Sequence, residues 1–219
     1  MTELLARLAD SILLADGAMG TMLHGRGAGF EKCFDELNLS KPEAVADVHR
    51  EYIAAGAQLI LTNTFGANRF MLGQHGLEER AAEINRAGVQ LARRAAGSSG
   101  ALVAGDVGPL GVRIAPFGRV QPEQARQAFA EQIRYLSEAG ADLIVVETVS
   151  DLYEIREAAR AAREACALPL VTSVTFTRDD RTVLGDDPAT VARALQEAGA
   201  DVIGVNCSGG PAQLLDEVA

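Results

Sequence analysis

Three acids follow short apolar runs in this chain: Asp16 after residues 12–15, Asp106 after residues 101–105, and Glu147 after Leu143-Ile144-Val145-Val146. Asp16 also opens a glycine-bearing turn, Asp16-Gly17-Ala18-Met19-Gly20. Other runs close on Asn63-Thr64-Phe65, on Thr175 and on Asn206-Cys207. An acid ending a buried run is costly unless it is paired or hydrated, which singles out Glu147. Asp106, before Val107-Gly108-Pro109, also suits a turn. Carboxylates such as Asp16 and Glu147, at the ends of non-adjacent strands, bind an ammonium group. Free N–H groups of a glycine-rich turn at a helix start donate to a carboxylate. The set describes a pocket for a small zwitterion, and an amino acid is the obvious candidate.

These side chains need a scaffold, and the chain repeats one. Ala55-Gly56-Ala57, Ala139-Gly140-Ala141 and Ala198-Gly199-Ala200 each end a helical pattern and precede a short apolar run. Glycine enters the left-handed geometry of a helix C-terminus without steric cost. A run lacking polar alternation is that of a strand buried on both faces. Further strands are expected over residues 12–15, 101–105 and 170–175, and helices over residues 42–55, 77–96, 122–139, 151–166 and 188–198. Ser40, with Glu43 three residues on, has the spacing of a capping box. The β-α order recurs six times, with a sixth helix opening at Pro211, and such alternation implies a parallel sheet with helices outside it.

Two α/β architectures compete: an open doubly wound sheet and a (β/α)8 TIM barrel. Neither Asp16-Gly17-Ala18-Met19-Gly20 nor the segment from Gly105 to Gly111 has the spacing of a dinucleotide fingerprint. Most of the expected strands end in a polar or glycine-bearing motif, as active-site loops of barrels do, and the barrel is favoured. A complete one takes about 250 residues. The expectation is therefore a single domain over residues 1–219, truncated after about six βα units.

Composition narrows the function further. The 219 residues carry 20 basic and 30 acidic side chains, a net charge of −10. That balance argues against nucleic acid, whose binding rests on basic groups, and against a polybasic membrane anchor. No apolar run reaches the roughly 18–20 residues of a membrane span, and the opening residues do not read as a signal peptide. Cys33, Cys166 and Cys207 are odd in number and irregularly spaced, so a reducing cytoplasm is the default. A lone cysteine is by default a small buried hydrophobe. His24, His49 and His75 lack ligand spacing, and solvent exposure suffices to explain His49 and His75. No Gly-x-Ser-x-Gly elbow supports acyl transfer.

Five collinear phrases together resemble the homocysteine S-methyltransferase family. They are Asp16-Gly17-Ala18-Met19-Gly20-Thr21, Glu36-Leu37-Asn38-Leu39, Thr62-Asn63-Thr64-Phe65-Gly66-Ala67-Asn68, Glu147-Thr148 and Gly204-Val205-Asn206-Cys207. The opening third is especially similar to bacterial proteins that fuse this barrel to a methylenetetrahydrofolate reductase. The resemblance implies zinc-dependent transfer of a methyl group to the thiol of homocysteine, giving methionine. It implies Cys207 as one zinc thiolate, with two further cysteines expected beyond Ala219. Glu147 and Asp16 would hold the amino group, and the amides of Gly17, Ala18, Met19 and Gly20 the carboxylate. Asn63, Thr64 and Asn206 would line the pocket or support it. Relatives take the methyl group from methylcobalamin, methylfolate, betaine or S-methylmethionine, and a fused or partner reductase or cobalamin domain is a further expectation. Two alternatives remain open: a (β/α)8 lyase or aldolase using Glu147 and Asp106 without zinc, and an inactive fragment.

Overall fold

In a computed structural model, Gly56, Gly140 and Gly199 take φ values of 107°, 99° and 92°, so each Ala-Gly-Ala phrase ends its helix as expected. The structure describes residues 2–29 and 31–218. Met1 and Ala219, the ends of the expected domain, and the cysteine pair expected after them lie outside the described residues.

The chain runs α1 (Glu3–Asp10), α2 (Met19–Gly25), α3 (Leu37–Ser40), α4 (Pro42–Ala54), β1 (Leu59–Leu61), α5 (Arg69–Gly73) and, after a 3-10 turn at Glu78–Arg80, α6 (Ala81–Ala96). It continues through β2 (Leu102–Val107), α7 (Pro122–Glu138), β3 (Leu143–Val149), α8 (Leu152–Ala165), β4 (Leu170–Val174), α9 (Pro188–Glu197), β5 (Val202–Val205) and α10 (Pro211–Val218). All four pairings are parallel and the strand order is β1-β2-β3-β4-β5. Each strand lies beside its successor, with none of the order reversal that defines a doubly wound sheet. This is the winding of a (β/α)8 barrel, with helices on its outside.

Two expectations are corrected. The strand expected at residues 12–15 is reduced to a single parallel bridge, Ala15 to Leu59. Its neighbours Ile12 and Leu14 are 93% and 56% exposed, so this segment has nothing apolar to pack against on one side. The capping box at Ser40 does not form. Ser40 ends α3 and its hydroxyl donates to Glu36, while Lys41 stands at the start of α4 without a side-chain cap.

Period-two alternation sorts the strands into two faces. Ile144 and Val146 of β3 face outward and pack in one cluster with Phe129, Ile133 and Leu136 of α7 and Ile155, Ala158 and Ala159 of α8. Leu59, Leu102, Ala104, Leu143 and Val145 face inward, in one cluster with Leu4 of α1. The inward rows carry on toward the strand ends as Leu102-Ala104-Asp106 and Leu143-Val145-Glu147. The alternation that builds the inner core therefore aims both acids into the barrel mouth.

Candidate active site

Asp106 and Glu147 meet Asp16 and Cys207 at that mouth, around a cavity of about 770 Å3. Its wall also includes Gly17, Ala18, Met19, Gly20, Asn63, Thr148, Phe65 and Asp35.

Asp16 is fixed by the sheet beside it. Its N–H donates to Leu59 O at 2.9 Å, and its Oδ2 accepts from the Leu61 N–H at 3.0 Å. Burial pushes its pKa up to about 7, with the negative charge of Glu147 adding to the rise and the Leu61 hydrogen bond opposing it. The chain then turns through Gly17, where a Cβ would lie 2.9 Å from the Tyr52 hydroxyl. Glycine thus lets Tyr52 close over the turn and donate to Ala18 O at 3.2 Å. Helix α2 starts at Met19 with no side-chain cap, which leaves its first N–H groups free of a capping side chain.

Glu147 sits where the pairing of β3 with β4 slips between Val146 and Val149, an irregularity of the kind that re-aims a side chain. The next residue, Thr148, takes φ 58°, and Cys207 takes φ 53°. Left-handed backbone is strained for a β-branched residue, and such strain collects at functional sites. Asn206 ties the two strained positions together. Its Nδ2 donates to Glu147 Oε2 at 2.6 Å and to Thr148 Oγ1 at 2.7 Å, and lies 3.5 Å from Cys207 Sγ. The Thr148 hydroxyl lies 3.6 Å from the same sulfur.

Asp106 is 6% exposed and its Oδ1 has no hydrogen-bond partner. Burial raises its pKa well above the ordinary carboxylate range, and the facing Glu147 carboxylate adds to the rise. Burial also raises Glu147, opposed by hydrogen bonds from Asp106 and Thr148. Two carboxyls facing each other oppose joint ionisation, so the more deeply buried Asp106 holds its proton more tightly than an isolated carboxyl would. A cation entering between Asp16 and Glu147 would favour the ionised form of both carboxyls, whose pKa burial raises.

The remaining residues divide between lining the cavity, supporting it and departing from expectation. Thr64 is fully buried and does not line the cavity. Its hydroxyl donates to Asp106 O at 2.7 Å and so braces the end of β2. Asn63 reaches the wall, but its amide turns away to Phe34 O and Asn38. Asn206 supports Glu147 without lining the cavity. Asp106 belongs to β2 and to the cavity, so the turn-building alternative falls away. Cys207 is exposed at the mouth, against the buried default for a lone cysteine. His49 is fully buried rather than solvated, with neither ring nitrogen hydrogen-bonded, and burial lowers its pKa to about 4.

Sequence reasoning missed Asp35 and the cavity role of Cys33. Both lie on a loop that follows no strand, so no pattern of apolar runs marks them. Asp35 Oδ1 accepts from the Gly66 N–H at 2.9 Å, and burial pushes its pKa up to about 6. The Cys33 thiol points at Asp35 Oδ2, 3.7 Å away, and burial with that carboxylate pushes it up to about 11. A thiol held protonated in this way is a poor metal ligand and a poor nucleophile. Among the described residues, no group of three or more His, Cys, Asp or Glu side chains is placed to hold a metal ion. No described helix is long and apolar enough to cross a membrane.

Residues 13–219 match the family model described as homocysteine S-methyltransferase. Methionine synthase of Mycobacterium tuberculosis is 32% identical over 99% of this chain and 20% of its own length. Methionine synthase of Mycobacterium leprae is 31% identical over 99% of this chain and 19% of its own length. The chain thus spans about a fifth of these curated relatives. Among solved structures, the metallated form of the homocysteine methyltransferase MmuM from Escherichia coli superposes with a TM-score of 0.82 at 27% identity, over 92% of this chain and 77% of that one.

Proposed function

Because the chain belongs to the homocysteine S-methyltransferase family, we propose that its cavity binds homocysteine and presents the thiol for methylation to methionine. One observation carries the reading: four carboxyl groups, the uncapped start of α2 and the Cys207 sulfur all border one cavity. The Glu147 and Asp16 carboxylates hold the ammonium group. The amides from Gly17 to Gly20 hold the carboxylate, where free N–H groups and the helix dipole favour an anion. With both ends of the amino acid fixed, the side chain extends toward Cys207. These groups orient and do not react, a contribution that converts a bimolecular encounter into a positioned one.

About 770 Å3 lies within the usual range of small-molecule sites. Lys32, Phe65, Met71 and His75 also line the cavity. Residues 1–219 form one homocysteine-binding barrel domain, and the donor-presenting reductase or cobalamin domain, fused or separate, is its partner. Cys207 is proposed as one thiolate of a zinc site whose other two ligands are cysteines beyond residue 219. The described residues alone do not make such a centre, since catalytic zinc takes three protein ligands.

Calorimetric titration of the intact gene product with homocysteine tests the clamp. Asp16 titrates at about 7 in the free site, and an ammonium beside it favours the ionised form. Binding therefore releases a proton below pH 7 and tightens as pH rises. One such group gives roughly a tenfold gain in affinity between pH 6 and pH 8. The Asp16→Asn variant is expected to release one proton fewer and lose that gain. An unchanged pH slope in the variant would remove Asp16 from the clamp.

A further inference from the structure

Building on Glu147 as the ammonium clamp, we propose that Ser173 is a positioning residue that sets affinity for the substrate's amino group, acting through Asn206. Ser173 lies on β4, in register with Gly204 of β5, and continues the inward row that starts at Val171, the partner of Val145. Glu147, Ser173 and Asn206 consequently share the inner face at the mouth. The Ser173 hydroxyl donates to Asn206 Oδ1 at 2.8 Å, and the Thr148 N–H donates to the same oxygen at 3.1 Å. A backbone N–H can only donate and an ionised carboxylate can only accept, so the amide has one orientation here. Oδ1 takes the two donors, and Nδ2 is left facing Glu147 Oε2 at 2.6 Å.

Ser173 does not border the cavity and is 9% exposed. Its hydroxyl reaches the substrate only through the amide. Without it, Asn206 keeps a single donor on Oδ1, and that donor belongs to the strained Thr148. The amide then gains rotational freedom and Glu147 loses its fixed partner. Ordering that the protein supplied in advance must now be supplied on binding, which lowers affinity. The effect falls chiefly on the ammonium end of the ligand, because the amide's bond to Glu147 Oε2 is 2.6 Å and its contact with the Cys207 sulfur 3.5 Å.

The test pairs two ligands on the intact protein: homocysteine, and 4-sulfanylbutanoate, which is the same chain without the amino group. Ser173→Ala is expected to weaken homocysteine about fivefold, the scale of one buried hydrogen bond, and to leave 4-sulfanylbutanoate within about twofold. Ser173→Thr, which keeps the hydroxyl, is expected to restore homocysteine binding. If Ser173→Ala loses its fold, Ser173→Thr against Ser173→Val, two side chains of nearly equal volume, gives the same comparison. Equal losses for both ligands, or no loss for homocysteine, would overturn the proposal. A wild-type protein that binds 4-sulfanylbutanoate as tightly as homocysteine would overturn the clamp reading itself, and this inference with it.

Discussion

Glu147→Gln is expected to weaken homocysteine binding about 100-fold, the scale of removing one partner from a buried charge pair. The substitution keeps the shape and an acceptor for the Asn206 amide, whose bond to Glu147 Oε2 is 2.6 Å. It removes the charge that meets the ammonium. It also removes the electrostatic conflict with Asp106, whose pKa the facing carboxylate raises. The ligand-free variant should therefore melt at the same temperature as the wild type or higher. A loss of affinity with no loss of stability separates the clamp from a structural role. Calorimetry and thermal melting of one preparation measure both, and an affinity within threefold of wild type would contradict the assignment.

Cys207→Ser is expected to strip the intact protein of zinc and of methyl transfer while leaving the fold unchanged. A serine hydroxyl is not ionised at neutral pH and does not replace a thiolate ligand. The side chain is exposed at the mouth and supports no packing. Elemental analysis after gel filtration reads the metal directly, without reference to turnover. Homocysteine should still bind through its ammonium and carboxylate ends, more weakly than in the wild type. Unchanged zinc occupancy in Cys207→Ser would remove this cysteine from the metal site.

The barrel was legible because its signals are local. Gly56, Gly140 and Gly199 mark helix ends by their backbone needs alone, and the apolar runs after them leave the strands no other place than a buried sheet. Glu147 was legible as an acid closing a buried apolar run, whereas Asp106 suited a turn equally well until the structure placed it, with Glu147, on an inward row of its strand. What was not legible depended on tertiary packing. Asp35 and Cys33 reach the cavity from a loop with no periodicity, through the Gly66 amide that anchors Asp35. His49 sits in a helical pattern that reads equally well with it exposed, and only the packing around α4 buries it. Ser40 had the residue types of a capping box but was drawn into the end of α3 by the bond to Glu36. Thr64 and Asn63 were found as a motif, yet the motif could not say that one braces Asp106 and the other turns toward Phe34.

A crystal structure of the intact protein with homocysteine bound tests the central claim most directly. The amino group is predicted within hydrogen-bond distance of the Glu147 and Asp16 carboxylates, the carboxylate on the amides that open α2, and the sulfur at the Cys207 end of the cavity. A ligand seated with its ammonium away from both acids, or with its sulfur on the Asp35 side, would contradict the account.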